Sequence, residues 1–133
     1  MRQIPDVQSV MTVCPHSIGL DQSLKVAKDL MRTHSIRHLP VQDGGELVGI
    51  VTDCDINFAL AMDQEEPDDL TIDEVYTSEP FIVEPTASLD AVVKRMADDH
   101  LGCALVTDNG KLVGIFTTVD ACRTLGNLLA ERK

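Results

Sequence analysis

Tryptophan is absent from this sequence and aromatic residues make up 3% of it. Any core must therefore be aliphatic. The four cysteines, Cys14, Cys54, Cys103 and Cys122, form no C-x-x-C pair. Together with four scattered histidines (His16, His34, His38, His100) they give no metal-ligand spacing, so no metal site is expected. No apolar stretch approaches the roughly 18 residues of a membrane span, and Met1 to Val10 shows no signal-peptide pattern. Reduced thiols and a cytoplasmic location are the expectation. From His38 to Val93 there is neither lysine nor arginine, within a net charge of −11. A chain without a basic face suits neither nucleic acid nor an anionic membrane surface. Motifs of the forms G-x-x-x-x-G-K-[ST], G-x-S-x-G and H-E-x-x-H are also missing. His100 near Cys103 is the one Cys/His pair worth naming, and the acidic composition gives no electropositive setting to activate a thiol. The chain is not expected to be an enzyme.

What is present is a duplication. Gly49-Ile50-Val51-Thr52-Asp53-Cys54-Asp55 returns 65 residues later as Gly114-Ile115-Phe116-Thr117-Thr118-Val119-Asp120. Aligning Ser9–Leu60 with Glu74–Leu125 needs no gap and gives 16 identities over 52 positions. Chance pairing would give roughly three. The first copy takes residues 1–63 and the second 71–133, and the acidic, proline-containing stretch 64–70 reads as a solvated linker.

Each copy predicts the same elements. A short helical lead-in starts near Asp6 or Ser9, and near Thr71 or Asp73 in the second copy. An extended piece follows, near Ser17 to Leu20 in the first copy. Ser23 and Ser88 stand where a helix N-cap is wanted. Leu24, Ala27, Leu30 and Met31 repeat as Leu89, Val92, Val93 and Met96 on one helical face. Strands at Ile36–Val41 and Leu47–Val51 flank the turn Asp43-Gly44-Gly45. Strands at Leu101–Val106 and Leu112–Phe116 flank Asp108-Asn109-Gly110. Leu47–Val51, nearly all apolar, reads as buried on both faces. Closing helices are expected over Asp53–Met62 and Thr118–Glu131. The sum is an α/β (α+β) fold of two β-α-β-β-α repeats. Each would expose an apolar sheet face alone, and the pair would cover these faces about a pseudo-twofold axis.

The repeated Gly-x-x-Thr-x-x-Asp phrase has two readings. Its glycine permits close approach of backbone or ligand. The threonine hydroxyl and the free amides of a helix start suit a phosphate or ribose oxygen, and a carboxylate three residues on can accept from a ribose diol. Thr-x-x-Asp is equally a variant of the capping box, stabilising each helix by about 1 kcal/mol without a ligand. The two roles are compatible.

These phrases, in their order and spacing, resemble a stand-alone pair of cystathionine-β-synthase-type (CBS) domains, a Bateman module. The resemblance rests on Val10-Met11-Thr12 with Pro15, Arg37-His38-Leu39-Pro40-Val41, and Gly49-Ile50-Val51-Thr52 with Asp55. In the second copy it rests on Val75-Tyr76-Thr77 with Pro80, Cys103-Ala104-Leu105-Val106, and Gly114-Ile115-Phe116-Thr117 with Asp120. It implies regulatory binding of an adenosine-containing ligand, an adenine nucleotide or S-adenosylmethionine, with no required cofactor. It also implies a homodimer that signals in trans to an effector protein. A ligand-free oligomerisation or scaffold module is the alternative. By the same resemblance the main pocket would join Thr12, Ser17, Ile36, Arg37 and His38 to Thr117 and Asp120. A second pocket would join Thr77, Ile82, Leu101 and Cys103 to Thr52 and Asp55. Gly102 and Cys103 depart from the basic residues the family often places where Arg37 and His38 stand. Asp53 adds a negative charge where the other copy has Thr118. Coulomb repulsion then directs phosphates to the Asp120 pocket and leaves the Asp55 pocket empty or holding a neutral or cationic ligand such as a nucleoside or S-adenosylmethionine.

Overall fold

The computed structural model describes residues 3–13, 15–63, 66–67 and 69–131. Cys14 and the linker residues Gln64, Glu65 and Asp68 lie outside the described residues. Among the described residues, eight short strands and four helices follow in chain order. They are β1 (Thr12–Val13), β2 (Ile18–Gly19), α1 (Leu24–His34), β3 (His38–Asp43), β4 (Glu46–Thr52) and α2 (Asp53–Asp63), then β5 (Thr77–Ser78), β6 (Ile82–Val83), α3 (Leu89–Asp98), β7 (Cys103–Asp108), β8 (Lys111–Thr117) and α4 (Thr118–Ala130). Single 3₁₀ turns at Val7–Ser9 and Ile72–Glu74 are the lead-ins.

The chain divides into two compact units, and they are not the two sequence copies. One is His16–Pro80, called here the Asp55 unit; the other joins Met1–Pro15 to Phe81–Lys133 and is the Asp120 unit. Each copy thus gives its leading segment to the other copy's unit. The Asp55 unit has a four-stranded sheet in the order β2-β3-β4-β5, and the Asp120 unit one in the order β1-β8-β7-β6. In each, the hairpin is antiparallel, the first short strand joins it parallel, and the exchanged lead-in strand closes the far edge antiparallel.

The exchange explains the repeated glycine. A Cβ on Gly49 would stand 2.3 Å from the Thr77 carbonyl oxygen and 2.5 Å from the Tyr76 ring, and one on Gly114 2.3 Å from Met11 Sδ. The close approach that the glycine permits is that of the edge strand. The hairpin turns need the positive φ that Gly44 (59°), Gly45 (90°), Asn109 (53°) and Gly110 (81°) adopt. The helical stripes are placed as their period requires: Leu24, Ala27 and Met31 are buried on α1, and Leu89, Val92 and Met96 on α3. Each stripe packs into its own unit's core, with Leu39, Val41 and Val51 in one and Ala104, Val106 and Phe116 in the other.

Three local expectations are modified. Ser23 caps α1, its hydroxyl accepting from the Val26 amide at 3.3 Å, but the Ser88 hydroxyl donates to Asp90 and makes no cap bond. Strand β4 is not buried on both faces: Gly49 and Val51 are buried, and Leu47, Val48 and Ile50 only half so. Its outer neighbour in the sheet is the two-residue β5, paired at Gly49 and Ile50. Leu70, placed in the solvated linker by composition, is 7% exposed and sits in the core. Its carbonyl accepts from the Leu24 amide at 2.9 Å and that of Pro67 from Lys25 at 3.2 Å, so linker backbone satisfies the first turn of α1.

Candidate functional site

Both Thr-x-x-Asp turns sit where a sheet strand ends and a helix begins, and both are complete capping boxes. At β4–α2 the Thr52 amide donates to Asp55 Oδ2 and the Asp55 amide to Thr52 Oγ1, each at 3.1 Å. At β8–α4 the Thr117 amide donates to Asp120 Oδ2 at 2.9 Å and the Asp120 amide to Thr117 Oγ1 at 3.3 Å. The amides expected to be free for a ligand are largely used. Arg37 O accepts from the Asp53 amide and Gly102 O from Thr118, both at 3.1 Å.

The surroundings of the two carboxylates differ. Asp120 is the one buried charged residue among the described residues, at 4% exposure. Arg123, one turn on, donates to its Oδ1 at 3.0 Å, and the Thr12 hydroxyl of β1 reaches both oxygens at 3.3 and 3.4 Å. Asp55 is half-buried, and its one described partner is the Thr52 amide. The next residues differ as well. Asp53 spends its carboxylate on the Cys54 amide at 2.9 Å. Thr118 replaces it in the other copy, and the Val119 amide has no hydrogen-bond partner among the described residues.

The structure therefore brings Thr12, Thr117 and Asp120 together in one unit, and Thr52 and Asp55 in the other. Thr77, the counterpart of Thr12, is exposed on β5 in the Asp55 unit and makes no hydrogen bond to Asp55 among the described residues. Ser17 is exposed just before β2, and Ile36, Arg37 and His38 span the α1–β3 junction, all in the Asp55 unit. Ile82 is 45% exposed on β6, Leu101 is half-buried, and Cys103 opens β7, all in the Asp120 unit. Sequence reasoning missed Arg123. The i,i+3 acid–base spacing from Asp120 was its signal.

Two titratable groups at equivalent repeat positions are shifted by the same cause. Burial pushes the Cys103 thiol up to about 12, which leaves no thiolate for the Cys103–His100 pair to use. Burial lowers the His38 value below 6.5, opposed by the nearby Asp53 carboxylate and assisted by Arg37. No helix among the described residues is long and apolar enough to cross a membrane.

Comparison with known proteins places these features in a family. The CBS domain profile matches residues 7–62 and again 72–127. The L-aspartate semialdehyde sulfurtransferase of Methanocaldococcus jannaschii is 32% identical over 125 residues, which is 92% of this chain and 23% of that protein. The chain spans about a quarter of the length of the first such curated relatives. Among solved structures, a putative acetoin utilization protein (AcuB) from Vibrio cholerae is 31% identical with a TM-score of 0.86, covering 96% of this chain and 95% of its own. The CBS domain pair of protein MJ0100, in complex with 5′-methylthioadenosine and S-adenosyl-L-methionine, is 30% identical with a TM-score of 0.82, covering 94% and 98%.

Proposed function

The chain belongs to the CBS domain family, and from that premise we propose that it is a non-catalytic regulatory module that binds an adenosine-containing ligand and passes its bound state to a partner protein. The observation that carries this reading is the likeness, over nearly the whole of both chains, to a CBS pair holding two adenosyl ligands. The duplicated Thr-x-x-Asp turn supports it, because it places a hydroxyl and a carboxylate at the mouth of a sheet.

The proposal assigns an adenine nucleotide to Thr12, Ser17, Ile36, Arg37, His38, Thr117 and Asp120. Two facts support that choice: Arg123 balances the Asp120 charge, and the Val119 amide has no partner among the described residues. The ribose diol would take over the acceptor capacity that Thr12 uses. A neutral or cationic adenosyl ligand is assigned to Thr52, Asp55, Thr77, Ile82, Leu101 and Cys103, because Asp53 and Asp55 lack a neutralising partner among the described residues. Calorimetry with AMP, ATP and S-adenosylmethionine on wild type, Asp55→Ala, Asp120→Ala and Thr117→Val tests this. Nucleotide binding should be lost in the last two and kept in Asp55→Ala. Loss only in Asp55→Ala reverses the assignment, and no binding of any adenosyl ligand to wild type leaves the scaffold reading.

Dimerisation belongs to the same proposal. Phe58 and Met62, 69% and 66% exposed, share one face of α2, and Leu125 and Leu129, 57% and 58% exposed, one face of α4. Sedimentation velocity should give a dimer for wild type and a monomer for Phe58→Glu with Leu129→Glu. A wild-type monomer excludes it.

A further inference from the structure

We propose that the Asp55 unit carries a divalent-metal site on the paired imidazoles of His16 and His34, suited to a transition ion such as zinc, nickel or copper. This inference goes beyond the adenosyl reading and does not rest on it; neither histidine is among the residues assigned above.

Geometry is the first argument. His16 stands just before β2 and His34 closes α1, and the fold lays their rings against each other, with centroids 3.6 Å apart and planes 16° from parallel. The two are far apart in sequence, which is why spacing alone shows no ligand set. Both residues are exposed, and neither ring makes a hydrogen bond or ion pair among the described residues. Imidazole nitrogen suits zinc, copper and nickel. Two nitrogens on one tetrahedral zinc stand about 3.3 Å apart, close to the separation of the rings. A small splay of the rings, free at an exposed site, turns one lone pair of each onto the same ion.

The setting favours a cation. His34 lies in the last turn of α1, where the helix dipole is negative. Its neighbour Arg32 is already bonded to Asp29 at 2.9 Å. The unit as a whole, residues 16–80, carries fourteen acidic and four basic residues.

The duplication supplies an internal control. Sixty-five residues on, His16 becomes Phe81, Leu30 becomes Arg95 and His34 becomes Asp99. There the same corner is self-contained: the Arg95 guanidinium lies 5.1 Å from the Phe81 ring centroid and donates to Asp99. The second copy builds its own cation into the corner. The first copy leaves that cation out and supplies nitrogen lone pairs for one. No third His, Cys, Asp or Glu joins the pair among the described residues, so the ion keeps positions open to water, the pattern of an exchangeable site.

Nickel chloride is the probe, titrated calorimetrically into the full chain without an affinity tag. Wild type should bind one equivalent. Even the groups behind a metal ligand are worth roughly tenfold in affinity, so His16→Gln and His34→Gln should each weaken binding by more than that. His38→Gln should leave it unchanged, as should Cys54→Ser with Cys122→Ser, which removes two exposed thiols. Circular dichroism verifies α1. Electron paramagnetic resonance of bound copper(II) gives a readout that folding alone does not move: splitting from two ring nitrogens in wild type and from one in each single variant. Absence of nickel binding to wild type overturns the inference, as does unchanged binding in either histidine variant or loss in either control. S-adenosylmethionine binding should survive in both histidine variants, and its loss there would overturn the separateness of the site; its absence from wild type would count against the adenosyl reading alone.

Discussion

Asp55 and Asp120 close the same four-residue box on the same kind of helix, yet one is half-open with a single described partner and the other is buried beneath Thr12 and Arg123. The box is what both units share, so capping is the role the fold requires of it. The surroundings are where the copies part. Residues 16–80 carry fourteen acids against four bases, whereas residues 1–15 with 81–133 carry eight against seven. A repeated motif thus marks the scaffold, and the departures from repetition around it mark what each half has specialised to hold.

The largest expected difference between the units follows from that burial. Asp120→Asn puts an amide NH₂ into a 4%-exposed position whose neighbours, the Thr117 amide and the Arg123 guanidinium, are donors. Leaving such donors facing each other costs about 2–3 kcal/mol. Asp55→Asn keeps an oxygen that can accept from the Thr52 amide at a half-buried turn and loses only the charge beside the helix N-terminus, about 0.5 kcal/mol. Urea denaturation of the two variants measures both, and equal costs would dissolve the distinction between the turns.

The glycine pair sharpens the comparison at the sheet edge. An added methyl at Gly114 meets the unbranched thioether of Met11, which can turn aside; at Gly49 it meets the Thr77 backbone carbonyl and the Tyr76 ring, which cannot. Gly49→Ala should cost about 2–3 kcal/mol and Gly114→Ala about 1 kcal/mol. Thermal melts of the two variants test this, and the opposite order would mean that β1, not β5, is the rigid edge.

Much of this architecture was legible in the residues. The 65-residue offset, the glycine turns and the period-3.6 stripes are local signals, and they located every helix and both hairpins. Local signals do not say which copy a lead-in strand joins, because Thr12 and Thr77 read alike; the exchange of β1 and β5 is a tertiary choice. The apolar Leu70 was hidden by its acidic neighbours. Ser88 looked like Ser23, but Asp90, where the first copy has Lys25, draws the hydroxyl away from the cap. Of the two compatible readings of the Thr–Asp boxes, ligand contact and helix cap, the cap is the one whose hydrogen bonds are present in both units. Arg123 is signalled by its i,i+3 spacing from Asp120, but its bond to Oδ1 follows only once the capping box has turned that carboxylate inward.

The smallest effect is set by one proton. His38 and Cys103 occupy equivalent positions at the start of β3 and β7, and burial disfavours the charged form of each, lowering the imidazole below 6.5 and raising the thiol to about 12. For His38 the sign is fixed. Well above pH 6.5 the histidine is neutral in both the folded and the unfolded chain, and it contributes no pH dependence. As the pH falls through 6.5 the unfolded histidine binds a proton that the folded one resists, so stability declines until the lowered folded value is passed. Between pH 7.5 and 5.5 wild type should therefore lose more stability than His38→Gln in urea titrations. Parallel profiles would show that Asp53, which opposes the shift, already cancels the burial, and would place the specialisation of this unit in its carboxylates rather than in its histidine.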